Sequence, residues 1–177
     1  SEDPIDSISR LMADADLGDA VTLVTSRDIT RYHVAQTEVD DVAAACLTTV
    51  GLSNGERVGQ RCREPVPLPG TINMLVHVSC PLSEAALIET ISIASEARTA
   101  AVLDARIVRA GVAVTGTRTD CIVVATPVGQ AGARFAGLHT AIGEAVGNAV
   151  YRAVREGAEV WERDFAAAMG QARSAAE

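Results

Sequence analysis

The segment Gly116 to Asp120 reads GTRTD and lies between two apolar runs, which concentrates backbone donors, two hydroxyls, a guanidinium and a carboxylate in one short loop. On that ground Gly116, Thr117, Arg118 and Thr119 are candidate ligand-binding positions, and Asp120 is a candidate acid or base. The loop is neither a P-loop, since GxxxxGK[ST] is absent, nor a dinucleotide fingerprint. A second polar cluster, PGTIN at 69–73, opens a strand. There Pro69 restricts the chain and Gly70 permits unusual dihedrals. The Thr71 hydroxyl and Asn73 amide can either orient a polar ligand edge or close a turn. Of the three histidines, His139 is the best candidate acid or base, because it lies just outside a helix start. A helix amino terminus favours anions and lowers a nearby imidazole pKa. Glu144 lies roughly 140° around an ideal helix from His139, so the two share a site only if His139 sits in the preceding loop. This is not HExxH spacing, and no metal is assigned.

Other candidates carry less. Glu89 and Glu96 are seven residues apart on one helix face, and Glu96 within SEARTAA stands beside small residues that can admit a ligand. His33 and His77 read as core or surface residues. Cys46, Cys62, Cys80 and Cys121 form neither a CxxC pair nor a zinc-ribbon pattern and read as buried or incidental thiols. No Ser carries a GxSxG elbow, so the usual covalent triads are unsupported.

The elements that must position these groups follow from periodicity. Ile5, Ile8, Leu11 and Met12 have helical spacing, with Gly18 as a stop. VTLVT at 21–25 reads as a strand, as do a segment near Tyr32 to Val34 and VAAACLTTV at 42–50. GLSNGERVG at 51–59 is a turn-rich loop that carries Asn54. Pro65, Pro67 and Pro69 exclude a regular element from 60–70. TINMLVHVS at 71–79 is a strand with Ile72, Met74, Val76 and Val78 on one side. Residues 83–105 form a helix capped by Ser83, with Leu87, Ile88, Ile91, Ala94 and Val102 as its apolar stripe. Strands are expected at 107–115 and 121–126. A Gly-rich connection at 129–137 leads into a helix from Thr140 to Glu156, which Gly157 ends or bends before a last helix over 158–169 and a frayed terminus.

That order predicts an α/β fold, a mixed sheet covered by helices, in a single compact domain over 1–177. With 177 residues and 48% hydrophobic content but only one Trp, two Tyr and two Phe, aliphatic side chains must fill the core. The net charge of −8 disfavours nucleic acid and anionic membranes as partners. No apolar run approaches a membrane span, so a cytoplasmic protein is expected. The Gly- and Ala-rich helix faces are compatible with a homo-oligomer.

Four segments resemble the adenosylcobinamide amidohydrolase family: TTVGLSNGERVG (48–59), PGTINMLVHVSCPLSEAALIETISIASEARTAAV (69–102), VTGTRTDCIVVATPVG (114–129) and FAGLHTAIGEAVGNAVYRAVRE (135–156). The resemblance covers about residues 40–156. It implies a hydrolase of corrinoid salvage that cleaves the amide of adenosylcobinamide to adenosylcobyric acid and aminopropanol, with no cofactor. The matching positions include Thr49, Asn54, Thr71, Asn73, Glu96, Gly116, Thr117, Thr119, Asp120, His139 and Glu144. Three departures stand out: no Gly-rich strand precedes residue 20, Arg118 stands where the family commonly has Gly, and Leu138 where it has Thr. The expected mechanism uses water as nucleophile, His139 as base and then acid, Glu144 or Asp120 assisting, and donors at 116–119 with Asn54 polarising the amide oxygen. Rivals are a Ser53 or Thr119 nucleophile, a metal-assisted reaction, a non-catalytic corrinoid-binding protein, and a diverged enzyme acting on a specialised metabolite.

Overall fold

A computed structural model describes residues 3–63, 68–109, 111–129 and 132–174, with side chains described up to residue 167. Asp3 caps the first helix, α1 (Pro4–Asp14), by accepting from the Ile5 amide, and Pro4 occupies its first turn. None of its residues is buried; Ile5 and Leu11 are exposed. The VTLVT segment is not a strand. Its β-branched content favours extended backbone, but a strand also needs a ladder partner, and the segment pairs with none of the named strands. The segment instead crosses one face of the sheet, where the Val24 carbonyl accepts from the Asn73 side chain at 2.8 Å.

Four strands make the main sheet: β1 (Tyr32–Val39), β2 (Val42–Val50), β4 (Ile72–Val78) and β8 (Cys121–Ala125), in the order β1-β2-β4-β8. The first three pair antiparallel and β8 runs parallel to β4, so the sheet is mixed as expected. β1 runs five residues beyond the expected Val34, because Gln36, Thr37 and Glu38 continue the ladder to the Asp40-Asp41 turn, where Asp40 takes a left-handed φ of 51°. Of the irregular segment 60–70, residues 64–67, with Pro65 and Pro67, lie outside the described residues; the rest carries only an isolated bridge at Gln60.

Ser83 caps α2 (Glu84–Asp104) through the Ala86 amide, as predicted. The buried face is Ala86, Thr90, Ile93, Ala94, Ala101 and Val102, whereas Ile88 and Ile91 are exposed. Apolar residues surround this helix on most sides, so their spacing does not single out the face that meets the sheet. The expected strand at 107–115 is two short strands, β5 (Val108–Arg109) and β6 (Val112–Ala113), because Gly111 has φ 78° and reverses the chain. Of the Gly-rich connection, residues 130 and 131 lie outside the described residues. One helix, α3 (Ala141–Ser174), replaces the two expected, and it passes through Gly157 without a break.

Gly157 serves packing rather than termination. A Cβ there would lie 2.5 Å from Val50 Cγ2 and 3.0 Å from His33 Cδ2, so the bare backbone lets α3 press onto β1 and β2. Buried alanines do the same elsewhere: Ala94, Ala101, Ala145, Ala149 and Ala153 are fully covered where α2 and α3 meet each other and the sheet. The helices cover the face carrying Ala35, Cys46, Val76 and Val124. Neither α2 nor α3 covers the opposite face.

Replacing Gly157 with Leu should destabilise the fold by ~1–3 kcal/mol through overpacking, read as a lower urea midpoint with an unchanged slope. Burial pushes the Cys46 thiol up to about 12, while Cys62 and Cys121 are exposed. A thiol reagent at mildly alkaline pH should therefore label Cys62 and Cys121 rapidly and Cys46 only after denaturation, measured by peptide mass.

Candidate functional site

The end of the sheet where β4 and β8 begin is built around Asp120. Its carboxylate accepts from the Ile72 amide at 3.1 Å, from the Thr117 amide at 2.9 Å, from the Thr117 hydroxyl and from the Arg98 guanidinium. Around it the two polar clusters lock together. The Thr71 hydroxyl donates to the Thr119 carbonyl at 2.5 Å, and the Thr119 hydroxyl donates to the Gly70 carbonyl at 3.0 Å. Gly70 itself admits no side chain, since a Cβ would meet the Gly51 carbonyl oxygen at 2.7 Å and Asn54 Oδ1 at 2.9 Å. The GLSNGERVG loop joins through a small ribbon, β3 (Gly55–Glu56) with β7 (Gly116–Thr117). The structure thus brings Asn54, Thr71, Asn73, Gly116, Thr117, Arg118, Thr119 and Asp120 to one end of the sheet.

Arg118 fits this frame without strain. Its Nε lies 2.7 Å from Glu56 Oε1 and its Nη2 donates to the Cys62 carbonyl at 3.3 Å. A cleft of about 620 Å³ opens beside it, walled by the 56–61 loop, Thr115–Arg118 and the Ser95, Arg98 and Thr99 side of α2. Glu96 is exposed and does not line that cleft. Sequence reasoning missed Arg98, Ser95, Arg57 and Arg61. Arg98 sat in plain view inside SEARTAA, but a cation and an acid 22 residues apart on different elements leave no local pattern.

His139 and Glu144 stand at the other end. Ala133 donates to the Pro81 carbonyl at 2.8 Å and Ala136 to Glu89 Oε2 at 2.6 Å, so the stretch before α3 adjoins the start of α2, where β4 has already ended. Glu89 thereby ties down this connection rather than facing solvent. The length of β4 separates the two ends by about 20 Å. Thr140 caps α3 by accepting from the Gly143 amide at 3.0 Å, which leaves His139 in the preceding loop, exposed, with Glu144 exposed in the first turn. His33 is buried with Nδ1 3.5 Å from Glu156 Oε1, and His77 is exposed. Among the described residues no cluster of three His, Cys, Asp or Glu could hold a metal, and no helix is long and apolar enough to cross a membrane.

Comparison with known proteins agrees with the motifs. The family model of adenosylcobinamide amidohydrolase matches residues 1–165, a longer reach than the 40–156 expected from the four segments. A curated protein of that name from Halobacterium salinarum is 32% identical over 146 residues, covering 77% of this chain and 58% of the relative. The chain therefore spans under two thirds of that relative's length. No solved structure matches.

The Asp120 carboxylate and the Arg98 guanidinium are 10% and 14% exposed, so removing one partner strands a buried charge. Asp120→Ala should cost about 3–5 kcal/mol in denaturant unfolding, and adding Arg98→Met should recover part of the loss. Equal stability of Asp120→Ala and the parent would show that the frame does not depend on this pair.

Proposed function

We propose, because this chain belongs to the adenosylcobinamide amidohydrolase family, that it hydrolyses the amide joining the corrin side chain of adenosylcobinamide to its aminopropanol arm, giving adenosylcobyric acid and aminopropanol. The observation that carries the reading is convergence: parts of three separate family-like segments, at 51–56, 69–73 and 116–120, meet around Asp120 in one hydrogen-bonded frame. Nothing in sheet geometry alone requires so many side chains to be spent on one loop end.

Amide hydrolysis requires a nucleophile, stabilisation of the tetrahedral oxyanion and protonation of the leaving amine. Asp120 has every acceptor direction occupied, so its part in this reading is to hold Thr117 to Thr119 and the start of β4 in place. Asn54 Oδ1, buried and without a hydrogen-bond partner among the described residues, together with Arg118 and the loop backbone, serves recognition of the substrate's polar edge. His139 keeps the role of base and then acid toward water, assisted by Glu144 in the first turn of α3. Recognition and proton transfer then lie about 20 Å apart, at the two ends of β4. A small amide cannot touch both ends, whereas a large macrocycle with long peripheral arms can bridge them.

The test is multiple-turnover incubation with adenosylcobinamide and detection of aminopropanol by mass spectrometry. The parent should release it catalytically, and His139→Ala should lower turnover by about 100-fold or more with the far-UV spectrum unchanged. Near-normal turnover of His139→Ala would remove that residue from the chemistry and place the reaction at the Asp120 end. Binding without release in the parent would support a non-catalytic corrinoid-binding protein instead.

A further inference from the structure

The sheet face that α2 and α3 leave uncovered is ordered in rows. Strand register sets Tyr32, Thr49, Asn73 and Cys121 side by side, and the next row on the same face is Val34, Leu47, Leu75 and Val123. Two residues further along β4 stands His77, toward the end where His139 lies. The middle row is apolar yet open: Leu47 is 43% and Leu75 39% exposed. A flat apolar strip on a twisted sheet, bounded by polar rows, matches the flank of a large ring better than a small enclosed ligand.

The first row holds the second observation. Thr49 and Asn73 are 7% and 5% exposed, yet Thr49 Oγ1 and Asn73 Oδ1 have no hydrogen-bond partner among the described residues. The amide orientation is set, because Nδ2 donates to the Val24 carbonyl and leaves the carbonyl oxygen as the unpaired end. Two buried polar atoms on neighbouring strands without a protein partner are costly, and among the described residues no strand, cap or turn uses them. A cavity of about 290 Å³ opens against them, between the sheet and Leu23, Thr25 and Ile29. What would satisfy them is a neutral N–H donor carried on an apolar body. Corrinoids are edged with neutral carboxamides. The larger cleft is charged instead, lined by Arg57, Arg61, Arg98, Arg118 and Glu56.

We infer that the uncovered sheet face is the corrinoid bed: the apolar flank of the ring lies along Val34, Leu47 and Leu75, and one peripheral carboxamide donates an N–H to Asn73 Oδ1 beside the Thr49 hydroxyl. This rests on the reading of the substrate as a corrinoid. The face runs along β4 away from the Asp120 frame, past Leu75 to His77.

The experiment is amide-resolved NMR titration of the full chain with three probes: cobinamide, benzamide as a minimal apolar carboxamide, and benzoate, which lacks the N–H donor. Cobinamide and benzamide should shift residues 23–29, 47–49 and 73–75, and benzoate should not. Thr49→Val and Leu75→Glu should each weaken cobinamide binding about tenfold or more, with the remaining spectrum intact. Arg57→Ala should leave it unchanged. Cobinamide shifts confined to 57–61 and 116–118 would overturn the bed and leave the corrinoid reading standing. Benzamide shifts without cobinamide binding would overturn the corrinoid as occupant, and no shift with either would overturn both.

Discussion

The carboxylate of Asp120 accepts from the backbone of Ile72 and Thr117, from the Thr117 hydroxyl and from Arg98, and these donors come from a strand, a ribbon and a helix. A buried charge is tolerated only when it is fully paired, so this arrangement works as a constraint on everything it touches. It fixes where β4 starts and how GTRTD turns. It also pins α2 to the sheet end, because Arg98 lies at mid-helix and has no other acidic partner among the described residues. Thr71 and Thr119 then exchange hydrogen bonds with the opposing backbone, which makes the two polar clusters a single rigid frame. Sites held on such frames keep their geometry without a ligand.

The rest of the architecture is asymmetric. Alanines and Gly157 let α2 and α3 pack closely on one face of the sheet, where the core of Cys46, Met74 and Val76 is fully buried. The other face stays open apart from the 21–28 crossing, and its Leu47 and Leu75 contribute nothing to that core. A small chain that leaves apolar sheet surface uncovered gives up stability it could have gained from another helix. The proposed corrinoid bed gives that uncovered surface a use beside the Asp120 frame.

Regular elements were legible in the sequence wherever alternation and caps were local. VAAACLTTV, TINMLVHVS and the Ser83 cap each carry their own signal, and β2, β4 and α2 match them closely. Failures came where tertiary contact decides. VTLVT looks like a strand but crosses a sheet face, where its Val24 carbonyl meets the Asn73 side chain, and Gly157 looks like a helix stop but exists for the approach of α3 to Val50. The site was legible in part: the polar loops that do converge were visible as motifs, and the family-like segments tied them together. That His139 and Asp120 sit at opposite ends of β4 was not visible, because parallel pairing of β4 with β8 is a long-range choice. Nor could residue types alone show that Asp120 would spend its acceptors on the frame, or that Thr49 and Asn73 would be left with unpaired atoms.

The proposed hydrolysis of a corrinoid amide by water is tested by reaction with adenosylcobinamide in water labelled with heavy oxygen, followed by mass spectrometry of the corrinoid product. Hydrolysis should give adenosylcobyric acid carrying one heavy oxygen in its newly formed carboxylate. A corrinoid product without that label, or an unchanged substrate after prolonged incubation with saturating protein, would contradict it.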